Sequence, residues 1–368
     1  MADVRLRKEL TDIAPCAHGG KAFEIAGRLG VKEEALLDFS VNLNPYMPLE
    51  AGDALRSAFS SVYSYPDNYY SRFRESAARF TGVRPENIIP GNGSTEIIRL
   101  IAECAIDKGD IAAIPCPTFG EYEQQCRLFG AAIRYIRFSD IVNKNYWHLD
   151  GCRIVFICNP NNPDGRLIQR KDVEVIVSHC REKDVIAVVD EAFVDLADPA
   201  QSVARLVEEY DNLLVMRSLT KCFAIPGLRL GFGISDKASA EVLNNARLTW
   251  NLDSIAAETG IYYMDNADSH LEVSRAFVKR EREWLAKAIG SIKGIKPLPA
   301  SANYFLIDVA GTGMMSGEFA GRMLGEGVVV RDCSSFSMLG DTYIRLAVRA
   351  REENERLVAA LRRVAHDH

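Results

Sequence analysis

The chain reads as an α/β protein with a mainly parallel central sheet and a smaller α+β domain. Three observations predict this. Between about residues 85 and 235, short runs rich in Val and Ile alternate with helical patterns. The polar residues of those runs gather at their downstream ends. Beyond residue 250 the pattern changes to long helices followed by short strands.

The apolar runs are "DIAAIPCP", "CRIVFICNPNNPDG", "VIAVVDEAF", "NLLVMRSLTK" and "LRLGFGIS". Their continuous hydrophobicity suits strands covered on both faces by crossover helices. Ligands of such sheets sit beyond the strand ends, which here carry Asn159 to Gly165, Asp190, and Ser218 to Lys221. The later strands are expected in "SANYFLIDVA", "VVVRDCSSF" and "YIRLAVRA", ahead of the helix "EENERLVAALRRVAHD". We therefore expect an N-terminal segment, 1–45, packing on the small domain and the active site, a large domain at 46–265 and a small domain at 266–368.

The 368 residues are 48% hydrophobic and 26% charged, with a net charge of −6. No general basic field for nucleic acid results, so a small-molecule partner is favoured. No apolar run reaches the roughly 18 residues of a spanning helix, and "MADVRLRKELTDIAPC" lacks a secretion signal's apolar core, so a cytoplasmic protein is expected. The nine cysteines are scattered singly without a CxxC pair, so neither a disulfide framework nor a metal centre is expected. Cys222 is the one to watch for reactivity, although a small hydrophobe beside an active site fits it better.

The segment "MRSLTKCFAIPGLRLGFG" holds Ser218, Thr220, Lys221 and Arg229. A lysine at the end of a buried strand is a snorkelling surface group, an anion binder or an imine-forming amine. Its neighbours decide between these. Arg229 and the two hydroxyls suit a phosphate. A second cradle is "PGNGSTEII", where Gly93, Ser94 and Thr95 open a helix whose free N–H groups can face an anion, unless the loop is merely a capping box. Asp190 ends "VIAVVD", and a carboxylate there calls for a cationic partner such as a protonated pyridine nitrogen. Asn162 could donate to a ring oxygen or simply form a turn. Phe119 could cover the ring or belong to the core. Together the set points to pyridoxal phosphate.

The ordered motifs "GNGSTE", "NPNNPDG", "VVDEAF" and "SLTKCFAIPGLRLG" resemble the fold-type I pyridoxal-phosphate enzymes, in the branch of histidinol-phosphate aminotransferases and threonine-phosphate decarboxylases. The resemblance implies that Lys221 links to the cofactor, Asp190 pairs with the pyridine nitrogen and Asn162 bonds the ring oxygen. It places Gly93, Ser94, Thr95, Ser218, Thr220 and Arg229 around the phosphate, with Tyr65 reaching it from the partner subunit of a homodimer.

Which bond breaks depends on how the substrate is oriented. Arg331 and Arg345, inside strand-like runs, suit carboxylate or phosphate. The opening "APCAHGGKAFEIAGRLG" resembles that of threonine-phosphate decarboxylases, which makes His18 a candidate phosphate ligand and Asn44 a candidate for placing the carboxylate. Phe193 stands where aminotransferases of the superfamily commonly have tyrosine, and the lysine motif resembles the decarboxylase version. The expectation is therefore a carboxy-lyase converting L-threonine O-3-phosphate to (R)-1-amino-2-propanol O-2-phosphate and CO2 in cobalamin biosynthesis. The alternatives are a histidinol-phosphate aminotransferase and a decarboxylase of L-serine O-phosphate, since one methyl is worth only about 1–3 kcal/mol in a pocket.

Overall fold

A computed structural model describes residues 10, 13–46 and 49–366. Most of the first dozen residues, with Met47, Pro48 and the last two, thus lie outside the description of the three expected segments.

The central sheet has seven strands: β1 (Ile88–Gly91), β2 (Ile111–Cys116), β3 (Ala132–Arg137), β4 (Ile154–Cys158), β5 (Ile186–Asp190), β6 (Leu213–Ser218) and β7 (Gly231–Ser235). Their order is β1-β7-β6-β5-β4-β2-β3. All neighbours are parallel except the two pairs made by β7, which runs antiparallel to β1 and β6. The fold is thus the mainly parallel α/β sheet that the sequence predicts, with one reversed strand.

Alternation along β4 explains why these runs are apolar throughout. Val155 and Ile157 pack with Val173, Ile176 and Val177 of helix α3 (Arg170–Glu182) on one face. Ile154 and Phe156 pack on the other with Ile97 and Ile101 of α1 (Ser94–Ala105) and Tyr122 and Cys126 of α2 (Glu121–Leu128). Each fully buried aliphatic side chain contributes about 1.5–3 kcal/mol, so a polar residue on either face would be felt.

A second core lies around a four-stranded antiparallel sheet of β8 (Lys296–Pro297), β9 (Tyr304–Asp308), β10 (Arg331–Asp332) and β11 (Tyr343–Ala347), in the order β10-β11-β9-β8. Leu285 and Ile289 of α4 (Ala267–Gly290) and Leu357 and Leu361 of α5 (Arg351–His366) close it. Leu37–Asp38 pairs in parallel with Val328–Val329, and Phe39 enters the same core. The register of β10 on β11 sets Arg331 opposite Arg345. No helix among the described residues is long and apolar enough to cross a membrane.

Candidate active site

Strand direction brings the predicted residues to one edge. β4 ends beside Asp190 of β5, and Gly231 at the start of β7 pairs with both Ser218 and Gly91. A cavity of about 300 Å³ opens there, lined by Gly93, Ser94, Thr95, Phe119, Asn162, Asp190, Phe193, Ser218, Thr220, Lys221, Arg229, Arg331, Arg345 and His18. Asn44 and Tyr65 are the two expected residues outside it.

Lys221 follows β6 in the short helix Leu219–Cys222. Burial, then the charges of Arg345 and Arg229, push its ammonium down to about 8, and Asp190 opposes them. The amine is therefore largely neutral in mildly alkaline solution, as a nucleophile or base must be. Asp190 is buried; its carboxylate accepts from the Tyr122 hydroxyl at 2.6 Å and the Ala192 N–H at 3.0 Å. Burial holds its pKa above the usual aspartate value against these donors and Lys221. Tyr122 is fixed in turn by stacking on Phe156 at 5.0 Å, while Phe119 meets it edge-on at 5.6 Å.

Close backbone approach shapes the glycine-rich loop expected to cradle an anion. Gly93 has φ 79°, where other residues are strained, and Arg229 Nη2 lies 3.0 Å from where its Cβ would be. A Cβ on Gly231 would sit 2.7 Å from Ser94 N and 2.8 Å from Arg217 O. Ser94 and Thr95 begin α1, whose first N–H groups have no intrahelical acceptor. Glu96 ties the loop together by accepting from Asn92 N–H and from Asn251 Nδ2. The capping-box alternative does not form, because the N-cap is Gly93, which has no side chain to accept an N–H. Ser218 and Thr220 hydroxyls pair at 2.8 Å.

Arg345 is the most unusual cation. It is only 6% exposed, yet it forms no ion pair among the described residues. Its guanidinium donates to Asn162 Oδ1 and, at 2.9 Å, to Ser40 O, and its Nε has no partner. Burial pulls its pKa down. A buried cation among neutral acceptors is costly, and an incoming anion relieves that cost. Arg331 donates to Ala17 O at 2.8 Å and to Ser335 Oγ at 2.9 Å. His18 lies 2.8 Å from Glu121 Oε1.

Asn44 points elsewhere. Its Nδ2 donates to Cys222 O at 2.7 Å and Ser274 Oγ at 2.9 Å, and its own N–H donates to Lys221 O at 3.0 Å. It braces the lysine turn. Asn42, two residues earlier, lines the cavity instead, with a buried Oδ1 that has no partner. Tyr65 is 79% exposed and stacks on Trp250 at 4.3 Å. Burial raises the Cys222 thiol well above its ordinary value, and its Sγ faces Ser218 O and Leu219 O, so it packs as a hydrophobe. Sequence reasoning missed Tyr122, Asn42 and Ser40. The spacing of Phe119 and Tyr122, one helical turn apart, was the available signal for the first.

The residues present fit pyridoxal phosphate: a cradle for its phosphate, a buried carboxylate for its ring nitrogen, and a lysine with a depressed pKa between them. The sequence profile of "Aminotransferase class I and II" matches residues 34–361. The chain belongs to that family. It is 32% identical to the histidinol-phosphate aminotransferase of Methanosarcina mazei, over 96% of this chain and 95% of the relative. The solved histidinol-phosphate aminotransferase of Clostridium acetobutylicum is 28% identical with a TM-score of 0.82, covering 90% of this chain and all of the other. The Sinorhizobium meliloti enzyme of that name, solved with pyridoxal-5'-phosphate, reaches a TM-score of 0.86 at 18% identity over 100% and 99% of the two chains. Pyridoxal 5'-phosphate is the cofactor of this family member.

These findings overturn the expectation of a carboxy-lyase in cobalamin biosynthesis. Curated relatives that match the chain nearly end to end include histidinol-phosphate aminotransferases of several organisms. A threonine-phosphate decarboxylase structure from Porphyromonas gingivalis superposes with a TM-score of 0.79 over 89% of this chain and 98% of its own, but at 22% identity it shares only the fold. The local features that suggest decarboxylation have packing causes in this fold. A Cβ on Gly19 would lie 2.5 Å from Ser40 O, and Gly20 has φ 76°, so "HGG" answers to backbone packing. Phe193 meets Tyr304 edge-on at 4.9 Å. The "PGLRLG" ending serves the turn at Pro226–Leu228, the left-handed Arg229 and the cradle contact of Gly231.

Proposed function

We propose that this protein is a pyridoxal-phosphate-dependent aminotransferase whose amino donor is histidinol phosphate. The observation that carries the reading is its full-length likeness to histidinol-phosphate aminotransferases, which reaches 32% identity across 96% of the chain. A buried, carboxylate-free Arg345 supports an anionic substrate, with Arg331 and His18 at the same cavity for its phosphate.

When bound, the cofactor supplies an electrophilic carbon and a ring that accepts electrons. The protein supplies the rest. Lys221, largely neutral above about pH 8, would hold the cofactor through its Nζ and is the base placed to move the proton at the donor's Cα. Asp190, held by Tyr122, keeps a positive charge at the ring nitrogen favourable. Arg345 binds the donor's phosphate or the acceptor's carboxylate, so both halves of the transfer use one anchor.

Residues 1–45, 46–265 and 266–368 form the N-terminal, large and small parts of this enzyme. A homodimer is supported by the exposure of the large apolar side chains Phe59, Tyr63, Tyr65, Tyr69 and Leu248. In the dimer Tyr65 reaches the partner's cofactor phosphate. The enzyme acts in the cytoplasm.

The test is amino transfer from L-histidinol phosphate to a 2-oxo acid, followed as the new amino acid over many turnovers. Turnover that needs no acceptor, with CO2 released from a phosphorylated amino acid, overturns the proposal.

A further inference from the structure

At the mouth of the substrate cavity, three ligand atoms of different chemistry converge. Cys16, His18 and Glu121 place one thiol, one imidazole nitrogen and one carboxylate oxygen within 4.8 Å of one another. They come from two pieces of chain, residues 13–20 and the first turn of α2. In sequence, Glu121 stands 103 residues from His18, so no local spacing announces the cluster.

Each member is positioned by other contacts. The Cys16 N–H donates to Gln124 Oε1 at 2.8 Å, and Gln125 Nε2 donates to Glu121 Oε2 at 3.1 Å. Arg331 holds the intervening Ala17 carbonyl. Gly120 admits the thiol, because a Cβ there would lie 2.6 Å from Cys16 Sγ. Glu121 is buried and Cys16 half-buried, while His18 stays 47% exposed.

A tetrahedral zinc site with bonds of about 2.0–2.3 Å separates its ligand atoms by roughly 3.3–3.8 Å. His18 and Glu121 start closer than that at 2.8 Å, and the whole set starts within 4.8 Å, so rotations of about 1 Å suffice. Sulfur, nitrogen and oxygen together are a zinc donor set, whereas calcium and magnesium want oxygen alone. Glu123 adds favourable charge near Cys16, and Arg331 opposes it.

We propose that Cys16, His18 and Glu121 form a three-ligand site for a zinc-class divalent ion at the mouth of the substrate cavity, with the fourth position open. As Sγ binds, the thiol proton passes to solvent. The ion clamps residues 13–20 to α2 and draws His18 away from the substrate, so zinc slows turnover.

The test uses the full chain loaded with pyridoxal phosphate and does not depend on which reaction it catalyses. Equilibrium dialysis against Zn(II) alone should give one ion per chain. Co(II) in its place should show the intense visible bands of four-coordinate cobalt with thiolate absorption. Cys16→Ser should abolish the thiolate absorption and weaken zinc binding at least about tenfold, as loss of even an outer-shell partner does. Glu121→Gln should weaken binding comparably. Cys104→Ser, which removes an exposed thiol elsewhere, should change neither readout. Failure to bind one zinc, or binding indifferent to Cys16→Ser with the variant folded by circular dichroism, overturns the proposal.

Discussion

Replacing Lys221 with methionine is expected to stabilise the cofactor-free protein while abolishing catalysis. The lysine's pKa falls from 10.5 to about 8, chiefly through burial and then through Arg345 and Arg229. At 1.36 kcal/mol per unit, this amounts to a penalty of ~3 kcal/mol for folding around a charged ammonium. The sign follows from proton counting. Between about pH 8 and 10.5 the unfolded chain binds more protons than the folded one, so stability rises with pH across that window. Below pH 8 both states are protonated and the full penalty applies. Methionine removes the charge and keeps most of the volume. Melting temperatures of cofactor-free wild type and Lys221→Met, measured at pH 7 and pH 10, are the assay. The variant should melt about 4 °C higher at pH 7, with the gap shrinking towards pH 10. Equal or lower melting at pH 7 would refute the claim that the lysine is held against its charged form.

Arg217→Met should destabilise the fold by about 3–5 kcal/mol, read by chemical denaturation, because the buried Glu191, 3.2 Å away, and Asp195 lose their shared cation. Tyr122→Phe removes the 2.6 Å donor to Asp190 and should weaken cofactor binding by about 1.5–3 kcal/mol, measured as a dissociation constant raised at least tenfold. Arg345→Lys should lower kcat/KM at least about tenfold, because an ammonium does not reproduce the fork that spans Asn162 and Ser40. A substrate analogue without its phosphate should lose this sensitivity.

Much of the large sheet was legible because β2, β4, β5 and β6 are buried on both faces and so are apolar until their downstream ends, where β5 carries Asp190 and β6 carries Arg217 and Ser218. The edge strands were not. β1 contains Pro90 and Gly91, and β3 places Arg134 and Arg137 along a partly exposed edge. The reversed sense of β7 is a tertiary fact with no local signature. Lys221, Asp190 and the glycine cradle were readable because their chemistry sits at strand ends. Asn42 and Asn44 were not separable, since which of two asparagines faces a cavity depends on a backbone path set by distant contacts. The reaction is not legible for a related reason: the "HGG" opening and Phe193 invite a chemical reading, yet Gly19 and Gly20 pack against Ser40 and Val41, and Phe193 packs against Tyr304.

Asn44 bears on the order in which this protein becomes itself. Its amide joins carbonyl 222 and hydroxyl 274 across 178 and 230 residues of chain. Contacts that distant close large loops and form late in folding. A ribosome-bound chain can complete the strands that frame Lys221 before Ser274 exists, but it cannot complete the brace. The lysine therefore acquires its final support only after three-quarters of the chain has been made, so a truncated or stalled product would carry Lys221 without the brace that fixes its turn.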